Sequence, residues 1–345
     1  MANFRLSSLL FLLFTIALFS CTDDGSGNVP DNNYDKGILI VNEGPFQNGT
    51  GTVSHYDRIT GKLTEDIFSL ANNGAKIGNV LQSASNWQGK TYLMVNNANR
   101  VYIVDPKTFK YQDSIKGITQ PRYFQGISAQ KAYISSWSQG VNVVDLANKQ
   151  ITKTIKTGIG ADKMLLDINN LYVLNSGGFE KDSTITLIEV LTDKVIKTIK
   201  AAPGPNSIEK AGGSIWVLCG SYWDIPGNGA LIEYKLEQKV NEYKVPKYAS
   251  NLVLSSDGKD LYFLAGSTIY KKSTLIASQQ PEIFLNRKFI SPYALDKDPI
   301  TGSLLMADAG DFAVKSKVYF INPDTKIVKD SIVSGVATNS FIFGN

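Results

Sequence analysis

The sequence predicts an all-β fold, a β-propeller of seven four-stranded blades closed by its C-terminal strand. Three observations predict it. A short apolar strand recurs as Ile38-Leu39-Ile40-Val41, Tyr92-Leu93-Met94-Val95, Tyr133-Ile134, Tyr172-Val173-Leu174, Trp216-Val217-Leu218, Tyr262-Phe263-Leu264 and Leu304-Leu305-Met306. Anchor residues on these strands, at 39, 92, 133, 172, 216, 262 and 304, are 53, 41, 39, 44, 46 and 42 residues apart. That is the period of four-stranded propeller blades. Alternating and β-branched residues fill the intervals, and no stretch sustains a 3.6-residue period.

Each anchor strand is followed by a Gly, Asn or Ser turn and a further strand, such as Val101-Tyr102-Ile103-Val104-Asp105 or Val141-Asn142-Val143-Val144-Asp145. A polar turn then leads to an outer strand, such as Ile151-Thr152-Lys153-Thr154-Ile155. Between blades lies an inner strand: Asn79-Val80-Leu81, Pro121-Arg122-Tyr123-Phe124, Asp162-Lys163-Met164-Leu165, Pro205-Asn206-Ser207-Ile208, Ser250-Asn251-Leu252-Val253 and Pro292-Tyr293-Ala294-Leu295. A seventh copy, Asn339-Ser340-Phe341-Ile342-Phe343, stands at the C-terminus, whereas the N-terminal unit starts directly at Gly37-Ile38-Leu39. The C-terminal strand is therefore expected to complete blade 1 and to remove an open sheet edge.

The turn Ser255-Ser256-Asp257-Gly258-Lys259 before Leu261-Tyr262 carries an Asp-Gly hairpin signal. It resembles the YVTN/YncE-like family of β-propellers, in which a Ser-Pro-Asp-Gly-Lys turn precedes Leu-Tyr-Val; here Ser256 replaces the proline. Residues 141–158 resemble that family's strands closely, and the resemblance extends over 36–345, most weakly at blades one and seven.

Residues 1–20 read as a lipoprotein signal peptide. Arg5 precedes an eleven-residue apolar run, Leu9 to Phe19, short of the ~20 residues of a membrane-spanning helix. Leu18-Phe19-Ser20-Cys21 resembles the bacterial lipobox, with Cys21 as the acylated residue. Thr22-Asp23-Asp24 resembles the acidic export signal of Bacteroidetes surface lipoproteins. Residues 21–35 then form the acylated cysteine and a flexible tether, and residues 36–345 the propeller domain. The expected location is the outer membrane, lipid-anchored and exposed at the cell surface.

Composition narrows the chemistry. The chain has one histidine, His55, and two cysteines, Cys21 and Cys219. A Cys/His zinc site, a di-histidine centre and a disulfide framework are excluded. His55 falls on a strand away from the expected mouth, and Cys219 lies in an apolar run as a small buried hydrophobe. Thirty-five basic against 31 acidic residues give a net charge of +4, too little for a nucleic-acid partner. No cofactor is expected. The Gly158-Ile159-Gly160-Ala161-Asp162-Lys163 stretch lacks the end of a phosphate loop and reads as an inter-blade turn.

The repeat places two sets of loops around one mouth of the central channel. The loops entering the inner strands carry Asn79, Arg122, Tyr123, Asp162, Lys163, Asn206, Asn251, Tyr293 and Asn339. The loops after the anchor strands are unequal in length and carry Glu43, Phe46, Trp137, Phe179, Tyr222, Trp223, Asp308, Asp311 and Phe312, whereas Gly266-Ser267 is minimal. Aromatic side chains there can stack on a flat or bulky ligand while amides orient it. Asp308 and Asp311 could bind calcium, but they lack the Asp-x-Asp-x-Asp-Gly pattern of a calcium loop, and no metal site is assigned to them.

By repeat style and export signal the chain resembles BtuG-type surface lipoproteins. That resemblance implies capture of a nutrient, a corrinoid such as cobalamin, and its transfer to an outer-membrane TonB-dependent transporter. Two alternatives stand beside it: a cell-surface scaffold for protein contacts, and a lactonase- or quinoprotein-like propeller enzyme. Catalysis would have to rest on carboxylates such as Glu43 or Asp308, and the chain is expected not to be an enzyme.

Overall fold

The computed structural model describes residues 33–47 and 49–344. The signal peptide, Cys21 and most of the expected tether lie outside the described residues. Seven four-stranded antiparallel sheets are arranged as a seven-bladed propeller. The inner strands of blades 1 to 7 are Thr338–Phe343, Leu81–Trp87, Pro121–Gly126, Ala161–Asp167, Pro205–Ala211, Ser250–Leu254 and Pro292–Lys297. Each touches the inner strand of the next blade, and Thr338–Phe343 touches both Pro292–Lys297 and Leu81–Trp87, so the ring is closed.

Closure follows the expected route. Thr338–Phe343 pairs antiparallel with Ile38–Asn42, Phe341 opposite Ile40, so one sheet joins both ends of the described chain. On the side away from the mouth, Arg58 reinforces it. Its Nε and Nη2 reach Asp298 of blade 7 at 2.9 and 3.0 Å, and Nη1 donates to the Gly37 and Gly344 carbonyls.

Apolar runs become strands here because neighbouring blades cover both faces of a sheet. Ser214–Cys219 and Ile38–Asn42 are buried at every position, whereas the outermost strands Gln150–Ile155 and Lys194–Lys200 are mostly exposed. Seven hydrophobic clusters fill the seven junctions; one joins Leu39 and Val53 of blade 1 to Leu93 and Val95 of blade 2. Cys219 is buried in the junction of blades 4 and 5, and its desolvation pushes the thiol up to about 12. His55 lies on the strand Thr52–Tyr56, its Nε2 against the Lys36 carbonyl and its ring edge-on to Tyr34.

Two features were not anticipated. A one-turn helix, Ile67–Ala71, fills the long connection from blade 1 to blade 2, capped by the Asp66 carboxylate on the Ser69 N–H. Its Ile67 and Phe68 plug the first junction, so five residues suffice where periodicity has no room to show. Tyr34, expected at the end of the tether, is buried in the same cluster, and its N–H donates to the Lys107 carbonyl at 2.9 Å.

Candidate functional site

A single local device builds the channel mouth. In all seven blades the ladder between the inner strand and its neighbour skips the inner strand's second residue. Such bulges bend a strand and re-aim a side chain. The seven second residues are Asn339, Gln82, Arg122, Asp162, Asn206, Asn251 and Tyr293, and all seven line one cavity of about 320 Å³. Glu43, Tyr123, Trp137, Lys163, Ser176, Gly178, Ser207 and Ser250 complete its wall.

Nine of the sixteen expected ligand residues therefore share this cavity: Glu43, Arg122, Tyr123, Trp137, Lys163, Asn206, Asn251, Tyr293 and Asn339. The other seven stand outside its wall. Phe179 is edge-on to Trp137 at 5.2 Å, and Phe312 is edge-on to Tyr293 at 4.9 Å, so both extend the mouth outward. Phe46 follows Glu43 on the same loop and is 69% exposed; Trp223 is 81% exposed. The Tyr222 hydroxyl is committed to the loop, donating to the Ser176 carbonyl at 2.8 Å and accepting the Asp182 N–H at 2.8 Å.

The Asp308 carboxylate accepts the N–H groups of Ile290, Ser291 and Gly310, and Asp311 accepts those of Ala313 and Val314. Both carboxylates shape loops. Asn79 is likewise displaced from its expected place. The strand begins at Leu81, and the Asn79 amide donates to the Pro45 and Gly49 carbonyls, leaving the blade 2 position to Gln82.

Arg122 and Asp162 organise one half of the mouth. The guanidinium lies 3.8 Å from the Trp137 ring centroid, donates to Gln82 Oε1 and sits 3.3 Å from Asp162 Oδ2. The same Asp162 oxygen accepts the Trp137 Nε1–H at 2.7 Å and the Ser176 hydroxyl at 3.0 Å. Arg122 Nε keeps no partner. Glu43 organises the other half, accepting from the Tyr293 hydroxyl at 3.1 Å and Asn339 Nδ2 at 3.0 Å. Burial raises the Glu43 pKa despite these donors and despite Arg122. Burial also raises Tyr123 and Tyr293, so both phenols stay protonated.

Below the mouth a second tier faces the channel. Three residues farther along their strands than Asn206 and Tyr293 come Glu209 and Asp296. Desolvation, then the charge of Asp296, pushes Glu209 up to about 7; desolvation pushes Asp296 to about 6. Lys163 lies among them with its pKa lowered by burial and supported by Asp162, Asp296 and Glu209. Among the described residues it forms no ion pair. The site can thus hold a ligand through aromatic faces, amides, the Lys163 amine and an adjustable set of carboxylates.

Residues 36–334 match the family described as a domain of unknown function, DUF5074. None of the curated proteins compared matches the chain in sequence. Among solved structures, a quinoprotein alcohol dehydrogenase-like protein from Bacteroides thetaiotaomicron aligns with a TM-score of 0.69 and 17% identity, covering 91% of this chain and 79% of that one. The periplasmic gluconolactonase of Pseudomonas aeruginosa aligns with a TM-score of 0.63 and 13% identity, covering 89% and 99%. The computationally designed protein Ika8 aligns with a TM-score of 0.60 and 9% identity, covering 89% and 90%. At such identities the likeness shows the fold alone.

Proposed function

The chain belongs to the DUF5074 family, and we propose that it is a ligand-capture protein whose binding site is the channel mouth. The observation that carries this reading is the convergence of all seven bulged residues on one cavity, with the exposed aromatics Phe179 and Phe312 set against its wall residues Trp137 and Tyr293. Most of the ring is locked before a ligand arrives, since Gln82, Arg122, Asp162, Tyr293 and Asn339 already hold one another or Glu43, Trp137 and Ser176. Preorganised polar walls with apolar platforms are the anatomy of a binding site.

A corrinoid such as cobalamin is the ligand proposed. Its macrocycle with amide arms is larger than a cavity of about 320 Å³, so it would lie across the mouth, on Phe179, Trp223, Phe46 and Phe312, with one arm directed inward. Lipid at Cys21 would hold the protein on the outer membrane, and an outer-membrane TonB-dependent transporter would receive the ligand. Calorimetric titration of the chain from Thr22 with cyanocobalamin, haem and a glycan panel tests the assignment. Saturable binding of the corrinoid alone supports it; binding of another panel member reassigns the ligand.

Catalysis is a second reading, favoured by Glu209 and Asp296, whose pKa values near neutrality suit proton transfer. It predicts turnover of a lactone or alcohol substrate that Glu209→Gln abolishes while ligand affinity at the mouth is kept.

A further inference from the structure

Blade 2 carries a different kind of surface on its outer side. Its outermost strand, Tyr111–Lys116, separates two hollows, and Tyr111 forms a wall of both. One, of about 600 Å³, lies between this blade and the helix Ile67–Ala71; the other, of about 650 Å³, faces the outer turn of blade 3 at Asn148 to Gln150.

The charges of these hollows are unbalanced. The first is lined by Lys76, Arg100 and Lys110 and by no carboxylate. Among the described residues none of those three forms an ion pair. The second adds Lys116 and Lys149 against a single acid, Asp113, which Lys149 already holds at 2.9 Å. Lys116 lies opposite Arg100 in the ladder, so the cations continue across the strand from one hollow to the other. Such unpaired charge repels itself and is relieved by an anion.

The walls between the cations are aromatic and amide-bearing. Tyr102 is edge-on to Tyr111 at 5.9 Å and lies 5.7 Å from Phe68, with the Arg100 guanidinium 5.6 Å from the Tyr102 centroid. Tyr111 is 47% exposed. Asn73, Asn148 and Gln150 supply donors and acceptors suited to hydroxyl groups.

We propose that these two hollows form a binding groove for an acidic polysaccharide, carboxylated or sulfated. The cations take its anionic groups, the tyrosine faces take the C–H faces of its rings, and the amides take its hydroxyls. A chain spans both hollows because Tyr111 belongs to each. The groove is distinct from the mouth and independent of what the mouth binds.

The test is calorimetric titration of the full chain with polygalacturonate and with heparin, which separate carboxylate from sulfate recognition. Neutral dextran and a single-stranded oligodeoxynucleotide are the comparisons. Saturable binding of at least one acidic polysaccharide is expected, weakened by salt, with none for dextran. Arg100→Ala with Lys110→Ala weakens it roughly tenfold or more, as does the exposed pair Lys76→Ala with Lys110→Ala should the first variant fold poorly. Tyr111→Ala weakens it at raised salt too, which loss of charge attraction alone would not produce. Binding of neither polysaccharide, an oligonucleotide bound equally tightly, or unchanged affinity in the folded variants would overturn the proposal.

Discussion

Arg122 is held on three sides without a ligand, stacked on Trp137, bonded to Gln82 and paired with Asp162, while its Nε keeps no partner. It serves as a wall of the mouth, and beneath it Lys163, its Nζ 5.9 Å from the Tyr123 ring centroid, is a cation without an ion pair among the described residues. The deeper carboxylates give this tier a measurable signature. The Glu209 pKa is raised from 4.5 to about 7, so the folded protein holds a proton that the unfolded chain releases. Stability contributed by this group is present below about pH 4.5 and lost as pH rises through about 7. Glu209→Gln removes the loss. Relative to the wild type it should gain on the order of 2 kcal/mol between pH 5 and pH 8, at ~1.4 kcal/mol per pKa unit. Asp296, Lys163 and Lys297 share the tier and stay in place. Denaturant melts at both pH values measure the difference, and a pH-independent difference would show that Glu209 is not desolvated.

At the scale of the element, the bulge at each inner strand is what converts a repeated strand into a ring of functional side chains. Approach to it needs unusual backbone. Gly160, just before Ala161–Asp167, has φ +66°, and a Cβ there would lie 2.3 Å from the Gly178 backbone nitrogen. Gly160→Ala should cost about 2–3 kcal/mol, from left-handed strain plus that clash. It should also push Gly178 and Trp137 apart and weaken whatever binds there. A thermal shift below ~1 °C would show that the loop yields freely. The sequence made the inner strands visible through their Pro, Asn and Asp starts, and with them Arg122, Asn206, Asn251, Tyr293 and Asn339. It concealed Gln82, because Asn79 occupies the look-alike position two residues before the strand. It concealed the lower tier as well, since bulges break the simple alternation from which Glu209 and Asp296 could be assigned to the channel.

Over the whole molecule, the blade period and the closing strand were legible because each blade must bury both faces of its inner strands, and apolar runs record that demand. Contacts between distant residues left no local trace. Tyr34 under the first junction and the Arg58–Asp298 pair across the closure, 240 residues apart, belong to this class. Arg58→Ala leaves the buried Asp298 carboxylate without its cation and the Gly37 and Gly344 carbonyls without a donor. A loss of about 2–4 kcal/mol is expected, measured by denaturant unfolding; a change under ~0.5 kcal/mol would mean that strand pairing alone closes the ring.

Binding at the mouth can be read from a single comparison. Cyanocobalamin is titrated calorimetrically into the wild type, Trp223→Ala and Trp137→Ala, with melting temperatures measured alongside. Trp223 is 81% exposed, so its removal should leave stability within ~0.5 kcal/mol while weakening binding about tenfold. Trp137 holds Arg122 and Asp162, so its loss should weaken binding further and cost stability as well. Saturable binding that falls in both variants is expected; no binding to the wild type, or an affinity unchanged in both, would rule out the mouth as the corrinoid site.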